Sequence, residues 1–218
     1  MSYLLSISGV RRRRGRCSGF ATGVLVMMLS ISPGMSKEAP PASTDSWTTG
    51  SLMGLVAKSN VRRFRFSEDK FYSFLKKPAH TQGTLVYRKP DTLEKNIQTK
   101  GKIARYRIVG DELFIKKSDQ KEKRVLLTHY PEVMALASSV RALIAGRIDV
   151  LKKFFDLELK GTRGNWTLTL TPTDIDLEEK IESLVITGIM GSLKKITIKE
   201  TDGDKSVLTL VALKGSTE

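Results

Sequence analysis

Between residues 60 and 213 apolar and polar side chains mostly alternate with a period of two, the signature of strands that bury one face. Such runs cover residues 60–74, 80–89, 93–100, 103–109, 113–117 and 124–129, and resume at 157–162, 166–171, 183–187, 194–200 and 206–213. Trp166, Leu168 and Leu170 alternate with Thr167 and Thr169, and Ile196 and Ile198 alternate with Lys195, Thr197 and Lys199. Turn residues separate several of the runs: Lys100-Gly101, Gly110-Asp111, the polar stretch 118–122, and Asp202-Gly203-Asp204. About eleven strands, joined mostly by hairpins, are predicted.

The period lengthens in three places. Residues 51–59 predict a short helix with Leu52, Leu55 and Val56 on one stripe. Pro131 opens a longer helix with Val133, Leu136, Ala137, Val140, Leu143 and Ile144 at helical spacing, and Gly146 is its expected stop. A second short helical segment is predicted over 148–155, with Leu151, Phe154 and Phe155 as its apolar positions. A single antiparallel sheet with one apolar face must curl or take a cover, and these helices are the only cover on offer. The expected fold is therefore mainly β, a curled antiparallel sheet under a helical lid.

The N-terminal region follows another logic. Arg11 to Arg14 and Arg16 precede an apolar run, residues 17–31, that is shorter than the ~20 residues of a membrane span. The run ends in Ser30, Ser32, Pro33 and Gly34, without a basic stop. This predicts an export signal over 1–36, cleaved after Ser36, and hence a periplasmic protein. The other reading, an uncleaved anchor, stays open. Residues 37–49, rich in Pro, Ser and Thr, read as a linker, and 50–218 as one domain.

Charge and chemistry narrow the function. The formal charge is +14, and loss of the signal removes five arginines to leave +9. Basic residues interleave with acids, as in 116–124, and aromatics are sparse, so neither a basic helix nor a base-stacking platform emerges. Nucleic acid is not expected as a partner. A solvated basic surface remains, with attraction to anionic headgroups as its functional variant. The only cysteine, Cys17, lies in the predicted signal, which removes disulfides, thiolate metal sites and a cysteine nucleophile. His80 and His129 lack metal-ligand spacing, and Ser138 and Ser139 lack nucleophile-elbow glycines. Gly161-x-x-Gly164 reads as a hairpin turn, and Asp174, Asp176, Glu178 and Glu179 as the start of a helix. No catalytic residue, metal or cofactor is expected.

Several pieces recur in a telling order: Phe64-x-Phe66-x-Glu68, then Gly83-x-Leu85-x-Tyr87-x-x-Pro90 ending with Leu93. The helical insert after Pro131 comes next. Leu159-x-Gly161, Trp166-x-Leu168-x-Leu170-Thr171-Pro172 and Ile196-x-Ile198-x-Glu200-x-Asp202-Gly203-Asp204 complete the series. From about Leu52 to Leu210 the chain resembles the LolA-like family, periplasmic carriers of outer-membrane lipoproteins. The resemblance implies an incomplete (open) antiparallel β-barrel covered by helices, with a half-barrel cavity for lipid or lipoprotein acyl chains, served by an inner-membrane donor complex and an outer-membrane acceptor. A monomer is expected. It also implies a cavity lined by Phe64, Phe66, Leu85, Tyr87, Trp166, Leu168, Leu170, Ile196 and Ile198. The lid stripe would be Met134, Leu136, Val140, Leu143 and Ile144. The same residues suit an ordinary filled core equally well. In the family an arginine just before the proline of the second strand motif latches the lid; Lys89 is the aligned residue here. Period two would put Lys89 on the face of Leu85 and Tyr87, and lysine lacks the planar fork of arginine. The alternative is a carrier or enzyme using the same half-barrel for a small hydrophobic or acylated metabolite.

Overall fold

Antiparallel pairing runs unbroken across eleven strands in the computed structural model of the chain, which describes residues 47–59, 61–99 and 101–213. The predicted signal, with Cys17, and residues 37–46 of the predicted linker lie outside the described residues. The strands are β1 (Arg63–Phe71), β2 (Ala79–Arg88), β3 (Thr92–Thr99), β4 (Lys102–Val109), β5 (Glu112–Lys117), β6 (Lys123–Leu126), β7 (Phe155–Thr162), β8 (Asn165–Pro172), β9 (Ile181–Ile189), β10 (Ser192–Glu200) and β11 (Lys205–Ala212). The chain enters mid-sheet at β1 and steps outward by hairpins to β6. A helical crossover then carries it to the opposite edge at β7, and hairpins return it to β11 beside β1. The edges β6 and β7 do not pair, so the barrel stays open, as the resemblance implies.

Register explains where the core sits. Leu159, Leu168, Ile186, Ile196 and Leu208 stand side by side across β7 to β11, and a second row joins Leu210, Phe66, Gly83 and Ile97. Because cross-strand neighbours share a face, these rows make one continuous apolar surface. The helices cover it. Helix α1 (Thr49–Ser59) buries Leu52, Met53 and Val56; α2 (Pro131–Ala145) buries Ala135, Ala137, Ala142, Leu143 and Ile144. Gly146 ends α2 at φ 72, where an added Cβ would stand 2.4 Å from the Met53 carbonyl oxygen. Only glycine lets the end of α2 close onto α1 in this way. Trp166 uses a second gap: its ring lies where a Cβ on Gly188 would be, and its Nε1 donates to the Met190 carbonyl at 2.8 Å.

Four boundaries differ from expectation. β1 stops at Phe71 because Ser73 N donates to the Asp204 carboxylate and Leu75 N to Tyr72 O, which turns the chain away from the ladder. β6 stops at Leu126, where Leu127–His129 forms a 3-10 turn, with Leu127 N bonded to Asp111 O. The second helical segment, α3 (Ile148–Leu151), ends early because Phe155 enters β7 opposite Pro172. The expected linker also ends sooner: Trp47 packs against the core, and Thr48 and Ser51 bond reciprocally to cap α1. The acid-rich stretch after Pro172 forms a short helix, α4 (Ile175–Glu178), with the Asp174 carboxylate accepting from Leu177 N at 3.2 Å.

Candidate functional site

The apolar face is not filled evenly. On the β7–β9 side, Phe155, Trp166, Leu168, Leu170, Leu184 and Ile186 are buried in a packed core with residues of α1, α2 and α3. On the other side a cleft of about 280 Å³ remains between α2 and the sheet. Val133, Leu136, Ala137 and Val140 line it from the helix, and Leu85, Leu93, Tyr106, Ile108, Leu113, Ile196, Ile198 and Leu208 from the strands.

Two charged side chains stand on this lining, Glu68 and Lys95. Lys95 Nζ lies 2.6 Å from Glu68 Oε2, and Thr81 Oγ1 donates to the same oxygen at 3.2 Å. The ammonium also sits 4.9 Å from the centre of the Phe66 ring, a favourable cation–π distance. The cleft is thus apolar beneath the helix and polar at this one station.

Two arginines hold the helix down. Arg141, buried on α2, reaches the turns at the end of the sheet: Nη1 donates to Asp91 O at 2.5 Å and to Gly110 O at 3.3 Å. Its Nη2 donates to the same Gly110 carbonyl and to Ser138 Oγ. Burial pushes the Arg141 pKa below its ordinary value, against the pull of Asp91 and Tyr87, yet a guanidinium stays charged at any working pH. One turn further along α2, Arg62 Nη1 donates to Ile144 O at 3.1 Å and so satisfies a C-terminal carbonyl of the helix.

These positions sort the residues expected from sequence. Leu85, Ile196, Ile198, Leu136 and Val140 meet at the cleft. Phe64, Phe66, Tyr87, Trp166, Leu168 and Leu170 are instead buried in the core outside the cleft lining, Phe66 with the Lys95 ammonium over its ring. Leu143 and Ile144 are buried in that core too, and Met134 is half-buried outside the cleft lining. Lys89 is a correction in placement. Strand β2 ends at Arg88, so the period-two argument no longer applies one residue later, and Lys89 is exposed in the turn. Arg88, one residue earlier, is exposed and bonds Glu94 at 3.2 Å. Arg141, Glu68 and Lys95 were not singled out. Each is a charge that falls in phase with apolar neighbours, Ala137 and Ile144 for Arg141 and Phe64 and Phe66 for Glu68, and that phase was the available signal.

Elsewhere, the carboxylates of Glu200, Asp202 and Asp204 converge at the β10–β11 turn, where they serve local bonds to Lys70, to the Asp204 amide and to the Ser73 amide. Among the described residues no helix is long and apolar enough to cross a membrane.

No curated protein matches the chain. Among solved structures, a LolA superfamily protein from Nitrosomonas europaea is 10% identical, with 79% of this chain and 96% of that one covered and a TM-score of 0.42. A putative outer membrane lipoprotein-sorting protein domain from Vibrio parahaemolyticus is 11% identical over 77% of this chain and 94% of that one, with a TM-score of 0.40. LprF from Mycobacterium bovis is 10% identical over 77% and 94%, with a TM-score of 0.35. The family model described as outer membrane lipoprotein carrier protein LolA-like matches residues 39–216, nearly the whole of the open sheet and its helices, and the chain belongs to that family.

Proposed function

We propose that the protein is an exported, non-enzymatic carrier that holds acyl chains of lipoproteins or other lipids beneath α2 and moves them between the inner and outer membranes. One observation carries the reading: a cleft lined almost wholly by aliphatic side chains, left open under a helix tied down by polar bonds. Each methylene withdrawn from water is worth ~0.8 kcal/mol, so an acyl chain crosses an aqueous space only with an escort, and an escort needs no catalytic group. Membership of the family supports the same reading. The arginine-led apolar segment at residues 11–31 supports export, and the protein would work as a monomer between an inner-membrane donor and an outer-membrane acceptor.

At about 280 Å³ the cleft lies just below the ~300–1,000 Å³ range of drug-sized ligand pockets, so a full acyl chain enters only if α2 lifts. Arg141 is the latch for that motion, since lifting α2 exchanges its bonds to Asp91 O and Gly110 O for water. It takes the role that the family pattern implied for Lys89. The test is to purify the protein from its native envelope without detergent, extract it with organic solvent and identify what is released by mass spectrometry. A stoichiometric acylated species is expected. An empty extract, together with failure to bind an apolar dye, would overturn the carrier reading.

A further inference from the structure

We infer that the end of the sheet opposite the Arg141 tether docks onto an anionic lipid surface, with the β1–β2 loop as its apolar anchor. Arg141 ties α2 to the turns that hold Asp91 and Gly110, at one end of the sheet. The antiparallel register puts the β1–β2, β3–β4, β5–β6 and β10–β11 turns together at the other end, away from that tether. There the β1–β2 loop presents Phe74, 78% exposed, and Leu75, 50% exposed.

This loop is built, not loose. Its Ser73 amide donates to Asp204 Oδ1 at 2.9 Å, Leu75 N donates to Tyr72 O at 3.0 Å, and the Tyr72 and Phe74 rings lie 5.5 Å apart. An apolar tip held in place loses little freedom when it is buried elsewhere. Exposed Lys76 and Lys77 follow it directly, and Lys102 and Lys117 extend the basic rim along the β3–β5 turns. The acids beside these lysines are Asp69, bonded to His80, with Asp119 and Glu122, the latter 3.9 Å from Arg107; Glu200, Asp202 and Asp204, with Glu200 paired to Lys70, and Asp174, Asp176, Glu178 and Glu179 around α4 lie on the β8–β11 side of the same end. An aromatic and an aliphatic tip flanked by lysines fits a headgroup layer, where apolar groups sink and ammonium groups meet phosphates. The inference rests on the carrier reading for its purpose, though not for its test.

The test uses the full chain with Cys17→Ser and a single bimane label at Leu75→Cys. A second chain carries the label at Lys89→Cys, exposed at the opposite end of the sheet. With vesicles of mixed phosphatidylglycerol and phosphatidylcholine, the label at 75 is expected to shift to the blue and to be quenched by lipids brominated on their acyl chains. The label at 89 should stay in water. Replacing both Lys76 and Lys77 with glutamate should weaken the response at 75 by at least ~10-fold, and added salt should do the same. Attachment through residues 1–36 would not imitate this pattern, because each label reports its own depth. A label at 75 that stays in water, equal shifts at 75 and 89, or a shift at 75 produced only by another envelope protein would overturn the inference. The label needs no cargo, so its failure leaves acyl carriage standing, and an empty extract leaves docking standing.

Discussion

On the β7–β9 side of the concave face, α1 rests on β7 and α4 on β8 and β9, and the aliphatic rows between them close around Trp166. On the β3–β5 side α2 is the cover, and it meets β3 while leaving Ile108 and Leu113 to line open space. The two halves carry the same period-two alternation. One becomes core and the other becomes a cleft because of what lies above them and because Glu68 and Lys95 interrupt the apolar rows on the open side. An apolar strand face is therefore a demand for cover, and whether that demand is met is decided by the helices.

Truncation should separate the halves most sharply. Leu168→Ala removes a fully buried side chain from the packed half and is expected to cost ~2–5 kcal/mol, from lost transfer energy and the cavity left behind. Ile198→Ala removes a half-buried side chain that already borders the cleft, so its cost should be about 1 kcal/mol. Urea unfolding followed by circular dichroism reads both. Equal losses would mean that the cleft is packed in solution and that the distinction fails.

The latch comes next in size. Arg141→Leu deletes charge-assisted bonds to two backbone carbonyls and should cost ~1.5–3 kcal/mol, while raising the binding of an apolar dye as α2 loosens. Lys89→Leu alters an exposed turn and should stay within ~0.5 kcal/mol with dye binding unchanged. If the Lys89 variant loosened the lid and the Arg141 variant did not, the assignments would have to be exchanged.

Much of the fold was legible because hairpin alternation is local. The strands from Trp166 to Leu170 and from Ile196 to Ile198, the helix from Pro131 and its stop at Gly146 all follow from residues within one or two turns of each other. What escaped depended on distant partners. Phe155 reads as the end of a helix until Pro172 pairs with it, and Phe71 ends its strand because Asp204, far along the chain, captures the Ser73 amide. The site divided in the same way. Alternation identified the apolar face, including Leu85, Ile196 and Ile198, but Phe64 and Trp166 share that face and differ only in lying away from the cleft. Lys89 failed for a local reason, since a period of two has no authority beyond the last paired residue.

The smallest effect lies on the outer face, where the two halves also differ. Behind the open half, Glu94 accepts from Asn96 Nδ2 at 2.7 Å and pairs with Arg88 at 3.2 Å, with Arg105 3.8 Å away. Burial alone would raise the pKa of its carboxyl. The hydrogen bonds from Asn96 and Arg88, with the charges of Arg88 and Arg105, outweigh burial and hold it below the usual carboxylate range. The unfolded chain therefore takes up this proton first as acid is added. The resulting stabilisation is complete above the ordinary glutamate value of ~4.3 and is lost as pH falls through the lower folded value. Wild type should thus exceed Glu94→Gln in urea stability at neutral pH, and the gap should close progressively in acid. Behind the filled half the corresponding pair, Glu158 with Lys160, is mostly exposed, and its removal should change neutral-pH stability by less than ~1 kcal/mol. A gap for Glu94→Gln that stays constant with pH would mean that this carboxylate does not brace β2 to β4, and that the strands around the cleft rely on α2 alone.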